Sequence, residues 1–377
     1  MKLKDICIIQ SGGTPSRSKK EYWENGTIPW VKISDFSAKH IINTQESITE
    51  QGMNCSSAKL FPKGTLLYTI FATIGEVGIL DIDATTNQAI VGIMIKNSMV
   101  DQEYLYYYLM SLKDYVNRIG RGVAQNNINM SILRELEIPL PPIEKQKKIS
   151  NIFIQLDKMI EQRQNQIDLI DELVKSRFIE LFGDPVSNSY KLDVLTLPEL
   201  GELGRGISKH RPRNAPELLG GQYPLIQTGD VASANLYITE YENTYSEIGL
   251  QQSKMWNKGT LCITIAANIA KTAILNFAAC FPDSVVGFNA NEKTNNIFIH
   301  YWFSFFQEIL EAQAPESAQK NINLKILSEL KVIVPSKRLQ NQFANFVAQT
   351  DKSKLAVQKS LDELETLKKS LMQEYFG

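Results

Sequence analysis

Cysteine and histidine are scarce in this chain, four of the first and three of the second in 377 residues. Cys7, Cys55, Cys262 and Cys280 stand far apart with no C-x-x-C pair, and His40, His210 and His300 do not group with them. A structural zinc site needs four clustered ligands, so this spacing speaks against both metal and redox chemistry. A phosphate-cradling Walker loop requires Gly-Lys before Ser or Thr, and that dipeptide does not occur. Long apolar runs are missing too: Leu261 to Ile265 and Ile297 to Phe306 are short or interrupted, so no membrane span is expected. The opening Met1-Lys2-Leu3-Lys4-Asp5 lacks the apolar core of a signal peptide, and the expected location is cytoplasmic. Neither sign of charge is in excess, with 40 basic and 41 acidic residues. That argues against indiscriminate polyanion binding and leaves room for a local basic groove.

Catalytic constellations are equally thin. Methyl transfer to an exocyclic base amine would call for an Asn/Asp-Pro-Pro-aromatic corner, but the one Pro-Pro, Pro141-Pro142, follows Leu140. A metal nuclease of the Pro-Asp…Asp/Glu-x-Lys kind would need its second half soon after Pro282-Asp283. The candidate Glu329-Leu330-Lys331 lies 46 residues on, and its counterpart Glu135-Leu136-Glu137 breaks the pattern. His40 and His210 fall in polar loops and His300 in an apolar helix, so no Ser/His/acid grouping is expected. The chain reads as a protein without its own catalysis, cofactor or metal.

What is present is a duplication. Lys63-Gly64-Thr65-Leu66-Leu67-Tyr68-Thr69-Ile70 returns as Lys258-Gly259-Thr260-Leu261-Cys262-Ile263-Thr264-Ile265, 195 residues on. The same shift carries Trp30-Val31-Lys32 onto Leu225-Ile226-Gln227 and Asp35 onto Asp230. At 194 residues Asn127-Ile128-Asn129 meets Asn321-Ile322-Asn323, and Ser176 to Gly183 meets Ser370 to Gly377. A period this long makes each copy a folding unit of its own.

Each copy opens with a mixed α and β part. Thr27 to Ile33, Leu66 to Phe71, Val77 to Ile82 and Ala89 to Ile95 read as strands between Gly, Asn and Asp punctuation. A helix with an aromatic face follows at Glu103 to Met110 and at Phe298 to Phe305; both copies keep its bulk without its identities, which marks core. Prolines end this part at Ile138-Pro139-Leu140-Pro141-Pro142 and at Val332-Ile333-Val334-Pro335. From Ile143 to Phe182 there is no Gly or Pro, and Phe153, Ile160, Ile167, Val174 and Leu181 recur every seven residues. Phe343, Val357, Leu364 and Leu371 repeat the period in the second copy, interrupted by Thr350. Such stripes predict two coiled-coil helices, each about 60 Å long at about 1.5 Å per residue, that pack on each other, antiparallel if a rough two-fold axis relates the two globular parts. The predicted division is 1–142, a helix over 143–183, 184–335, and a second helix over 336–377.

Both copies carry a basic loop after the first strand, Arg17-Ser18-Lys19-Lys20 and Lys209-His210-Arg211-Pro212-Arg213. Either loop alone could be a solvated turn, but their recurrence points to phosphate contact. Base edges are read by forked donors and acceptors, and candidates gather in four places. They are Lys32 and Ser34 against Gln227 and Thr228; Thr69 and Thr73 against Thr264, Asn268 and Lys271; Asn87 and Gln88 against Cys280 to Ser284; and Arg121, Gln125 and Asn126 against Gln319 and Lys320. The plainer role for such residues is to hydrogen-bond loop backbone. Asp35 and Asp230, kept in both copies, are expected to cap turns.

With repeat, proline boundaries and paired helices in place, the chain resembles the specificity subunits of type I restriction-modification enzymes. The resemblance spans the whole length. It rests on Glu137-Ile138-Pro139-Leu140-Pro141-Pro142-Ile143-Glu144-Lys145-Gln146-Lys147-Lys148-Ile149, on Trp30 to Asp35, and on the Lys-Gly-Thr-Leu repeats. It implies an α+β fold of two tandem target recognition domains, each reading one half of a bipartite site in double-stranded DNA. It implies long helices that pack as an antiparallel coiled coil, fix the spacing and dock two modification (methyltransferase) subunits. S-adenosylmethionine would then sit on the modification subunits, and ATP and Mg on restriction or translocase subunits. Two departures stand out: Ser336-Lys337 follows Pro335 where the first copy has Pro142-Ile143, and Ala270 replaces Gly75. Two other readings fit the same pattern, a two-headed protein-binding scaffold and the specificity chain of a methylation-only or fused nuclease-methylase system.

Overall fold

A computed structural model describes residues 1–120, 128–210, 212–313 and 322–377. The chain forms two compact units, Met1–Gln164 with Lys359–Gly377, and Asn165–Gln358.

The first unit is built on a five-stranded sheet in the order Cys7–Ser11, Ile90–Ile95, Leu66–Thr69, Val77–Leu80, His40–Ile41. Successive strand residues face opposite sides, so Leu66, Tyr68, Ile79 and Ile93 join one core while Leu67, Leu80 and Ile90 join another. Both faces are covered, which is why Leu66–Thr69 and Val77–Leu80 are buried throughout and show no polar alternation. The first core takes in the helix Gln102–Ser111, whose Tyr104, Tyr106, Tyr107 and Tyr108 are buried. The second lies against a small sheet ordered Glu46–Ile48, Ile28–Val31, Thr85–Thr86. The strands expected from sequence all form, trimmed by one or two residues at their ends.

The second unit repeats this plan in its own order, Gly201–Arg205, Val285–Ala290, Leu261–Thr264, Thr272–Leu275, Tyr237–Ile238. The duplication extends to register: Leu66 pairs with Ile79 and Ile93, and Leu261 with Ile274 and Phe288. A small sheet ordered Asn243–Tyr245, Leu219–Leu225, Ala279–Cys280, Met255–Trp256 stands in for the three-stranded one. One retained glycine has a steric reason. A Cβ on Gly92 would lie 2.3 Å from the Phe61 ring, and one on Gly287 would lie 2.6 Å from the Trp256 ring.

The long helices run Ile143–Phe182 and Lys337–Phe376, the second one residue short at each end of the span 336–377 expected from sequence. Within the first unit Phe153 stacks on Phe376 at 5.5 Å, Asp157 pairs with Lys368 at 2.5 Å and Arg163 bonds Ser360 at 3.2 Å. Numbers rise along one helix as they fall along the other, so the segments are antiparallel. Within the second unit Asp171 pairs with Lys354 at 2.6 Å and Phe178 meets Phe343 at 5.3 Å, again antiparallel. On the seven-residue line Phe153, Ile167, Val174 and Phe343 are buried, while Ile160, Leu181, Val357, Leu364 and Leu371 are half-buried. Phe178 and Phe182, off that line, are fully buried because they pack on Phe298 of the helix Asn296–Gln313. Thr350 interrupts the line without breaking the helix, its hydroxyl donating to the carbonyls of Phe346 at 3.2 Å and Val347 at 3.0 Å.

Candidate nucleic-acid interface

In the first unit the basic loop leaves the strand Cys7–Ser11 and folds over two indoles. Trp30 donates from Nε1 to the Gly13 carbonyl at 3.1 Å and meets the Trp23 ring edge-on at 4.9 Å. The Arg17 guanidinium lies 3.6 Å from the Trp23 ring centre and 4.8 Å from that of Trp30, where the π-face attracts it. Its Nη1 donates to Glu46 Oε2 at 2.5 Å, and Lys32 Nζ donates to Glu46 Oε1 at 2.8 Å. The hydrogen bond from Arg17, and next that from Lys32, hold the Glu46 carboxyl below the usual carboxylate range. Two cations against one acid leave the cluster with a net positive charge, on side chains that remain partly exposed. Lys19 reaches the Tyr22 hydroxyl at 2.9 Å, and Lys20 lies 3.7 Å from Glu24 in a solvated pair that adds little stability.

Lys32 stands at the head of a one-turn helix, Ile33–Asp35, with Ser34 in its middle, and Asp35 accepts from the Lys32 N–H at 2.9 Å. Asp230 does the same for Gln227 at 2.7 Å, so both acids cap turns as expected. Ser34 stays exposed. Asn87 accepts from the Ala89 N–H at 3.0 Å, the backbone role, and the exposed Gln88 accepts from the Thr14 hydroxyl.

The loops after Leu66–Thr69 and Leu261–Thr264 correct part of the sequence reading. Thr69 and Thr264 are fully buried and cannot reach a ligand. Thr69 donates to the Thr73 carbonyl and accepts from the Glu76 N–H at 2.9 Å; Thr264 donates to the Asn268 carbonyl and accepts from Lys271 N–H at 3.1 Å. They tie the loop down from below. Thr73 and Asn268 are exposed at its tip, and Lys271 is half-buried. The replacement of Gly75 by Ala270 leaves the shape intact: φ is +87° at Gly75 and +59° at Ala270, a left-handed conformation that costs alanine about 1 kcal/mol or more. Removing the hydroxyl in Thr264→Val is expected to lower stability by about 2 kcal/mol, because the Asn268 carbonyl and Lys271 N–H keep only their long 3.4 Å bond to each other. Urea denaturation of the variant measures this.

In the second unit Arg213 pairs with Asp283, whose backbone carbonyl accepts from Arg205 Nε at 2.5 Å. The Lys209 N–H donates to Gln252 Oε1 at 2.7 Å, leaving its side chain exposed. Arg213, Gln227 and Thr228 line one recess of about 310 Å³ with Asn214, Asn243 and Ser284, over a floor that includes Leu225 and Tyr245. The structure thus brings Arg17 and Lys32 together on Glu46, and Arg213, Gln227 and Thr228 around one recess. Arg121, Gln125, Asn126, Arg211, Gln319 and Lys320 lie outside the described residues.

Sequence reasoning missed Glu46, Trp23 and Asn243, for they stand out only once strand pairing sets them beside the basic loops. It also passed over a repeated amide. Gln146 Oε1 accepts from the Asp101 N–H at 2.9 Å, and Nε2 donates to the carbonyls of Met99 and Pro141, each at 2.8 Å. Gln340 accepts from Thr294 at 3.0 Å and Asn295 at 3.2 Å, and donates to Lys293 at 3.0 Å and Pro335 at 2.9 Å. Recurrence one turn after a proline, 194 residues apart, was the available signal.

Cys7 is buried and His300 half-buried. Burial pushes the Cys7 thiol up to about 12, and it pushes His300 down to about 4, with Nδ1 2.9 Å from the Thr272 hydroxyl. Among the described residues no group of three or more His, Cys, Asp and Glu side chains could hold a metal ion, and no helix is long and apolar enough to cross a membrane. What the exposed faces offer is a fork of guanidinium, ammonium and amide donors with amide acceptors, the chemistry of phosphates and base edges.

Comparison with known proteins places this arrangement. A family model described as the type I restriction modification DNA specificity domain matches residues 1–170 and again 192–366. The type I restriction enzyme MjaIX specificity subunit of Methanocaldococcus jannaschii is 26% identical, over 98% of this chain and 90% of its own. The EcoprrI specificity subunit of Escherichia coli is 29% identical over 41% of each chain. The crystal structure of an S subunit from a type I restriction-modification system of M. genitalium superposes with a TM-score of 0.57 at 16% identity, covering 100% of this chain and 95% of that one. A chain from a structural study of complex assembly in a type I system gives 0.56 at 17% identity, over 100% and 96%. With both halves matched by the same model, the chain belongs to the type I restriction-modification DNA specificity family and carries two tandem DNA specificity domains.

Proposed function

We propose that this chain is the non-catalytic reader of a type I complex, working in the cytoplasm on double-stranded DNA. Each recognition domain reads one half of an asymmetric bipartite site. The long helices set the spacing of the halves and dock two modification subunits, which bring S-adenosylmethionine for methyl transfer. Restriction or translocase subunits supply the ATP and Mg chemistry. The candidate contacts are the exposed donors and acceptors of the basic loops and of the turns at Lys32 and Gln227.

One observation carries this reading. Buried strands keep the same pairing in both units, whereas exposed positions diverge, with Lys32 against Gln227 and Arg17 on its indoles against Arg213 beside an open recess. A palindrome would be read by identical faces, so divergent faces fit an asymmetric site. Exchanging residues 1–140 for those of another family member is expected to change one half-site and leave the other as it was. Methylation-site sequencing of a strain carrying the hybrid reads this directly, and a change in both halves would refute modular reading.

A further inference from the structure

Arg17 and Arg213 hold equivalent places, yet their acidic partners have traded positions. Each arginine stands three residues ahead of a one-turn helix, Lys20–Tyr22 or Pro216–Leu218. Each turn is pinned in the same way, the Thr49 N–H donating to the Tyr22 carbonyl at 3.0 Å and the Ser246 N–H to the Leu218 carbonyl at 2.8 Å. Strand register fixes the equivalence of the acids. Glu46 lies opposite Trp30, and Asn243 lies opposite Leu225, the counterpart of Trp30. On the other flank Trp30 pairs with Thr85 and Leu225 with Cys280, and three residues further on come Gln88 and Asp283. Position for position, Glu46 and Gln88 face Asn243 and Asp283. Each unit has one acid and one amide, in exchanged places.

The exchange changes the flank on which the arginine is anchored. Ile28–Val31 lies between Glu46–Ile48 and Thr85–Thr86, and Leu219–Leu225 lies between Asn243–Tyr245 and Ala279–Cys280. Glu46 therefore draws Arg17 to one flank of the central strand, and Asp283 draws Arg213 to the other. With neighbouring strands about 4.8 Å apart, the two flanking strands lie about 10 Å apart across the sheet, Glu46 on the one and Asp283 three residues past the end of the other. The surroundings change with the anchor. Arg17 rests on Trp23 and Trp30, while Leu219 and Leu225 occupy those places in the second unit and line the recess.

A carboxylate that holds part of an arginine fork presents the remaining N–H groups in a set direction, and that fork matches guanine O6 and N7. We propose that Glu46 and Asp283 are positioning residues for Arg17 and Arg213, and that their exchange displaces the guanine each domain requires by about three base pairs within its half-site. At about 3.4 Å per base pair this matches the 10 Å offset. The inference rests on the DNA-reading function proposed above.

The test uses the full chain co-expressed with its modification partners and duplexes randomised over both half-sites. Wild type is compared with E46Q, E46N/Q88D and, in the second unit, N243E/D283Q. E46Q is expected to lose the guanine preference at one position of one half-site, a tenfold or greater loss for the selected sequence. E46N/Q88D is expected to regain a preference two to four base pairs away, and N243E/D283Q to shift its own half-site in the opposite sense. An E46Q selection identical to wild type overturns the positioning role. So does a double variant that melts like wild type but stays as unselective as E46Q, and the two mirror-image doubles cover each other if one fails to fold. Failure of the underlying function looks different: the wild-type complex would then select no sequence at all.

Discussion

A seven-residue insertion in both long helices, after Gln164 and after Gln358, is expected to lengthen the spacer of the recognised DNA by about three base pairs. Seven helical residues add about 10.5 Å, and duplex DNA advances about 3.4 Å per base pair. Seven is the right number because it turns the helix by about 20° less than two full turns, so apolar residues stay on the packed face. Five residues would turn the two ends by about 140° relative to each other and tear Phe178 and Phe182, or Phe153 and Phe376, from the cores they fill. That variant should lose activity outright. Methylation-site sequencing distinguishes the outcomes, and an unchanged spacer in a folded seven-residue variant would sink the proposal that the helices act as the ruler.

Replacing the buried amides is expected to cost the most stability of any single polar substitution. Gln146 is 1% exposed and Gln340 is fully buried, and each joins the start of a long helix to two backbone segments of its own unit. Gln146→Leu keeps the bulk but strips the Asp101 N–H and the carbonyls of Met99 and Pro141 of their partner. Each unsatisfied group costs about 1–3 kcal/mol when water cannot replace it, and part-exposure of these segments brings the sum to about 3 kcal/mol. For a unit of this size the melting transition should fall by about 6–12 °C. Gln146→Glu separates hydrogen bonding from packing, since a carboxylate can still accept from Asp101 but cannot donate to Met99 and Pro141. Calorimetry in which Gln146→Leu melts within 1–2 °C of the parent would show that these bonds are incidental.

Much of the architecture was legible because the chain states it twice. Two copies that keep apolar runs such as Leu66 to Tyr68 and Leu261 to Ile263 specify buried strands, and a change of offset from 195 to 194 specifies where a residue was gained or lost. The helices were legible through period alone. Phe178 and Phe182 were not, because their burial comes from the facing helix Asn296–Gln313 and not from the seven-residue repeat. The candidate reading face was legible as a composition and misread in part as a geometry. Thr69 and Thr264 have the side chain of a DNA contact and the burial of a core residue. Their hydroxyls answer to loop backbone within seven residues, a choice settled by the turn and not by residue type.

The sequence by itself determined that there are two domains of one plan, that each is followed by a long apolar-striped helix, and that the differences between the copies lie in polar loops. Those properties are periodic, and periodicity is written along the chain. Tertiary structure alone decided which charges meet. Arg17 and Glu46 are 29 residues apart, and Arg213 and Asp283 are 70 apart. Pairs so distant are selected by which strand lies beside which, and a carboxylate gains a guanidinium only where sheet register delivers one. The same register made an exchange of acid and amide, invisible in either copy read alone, decide which flank of the central strand anchors each arginine.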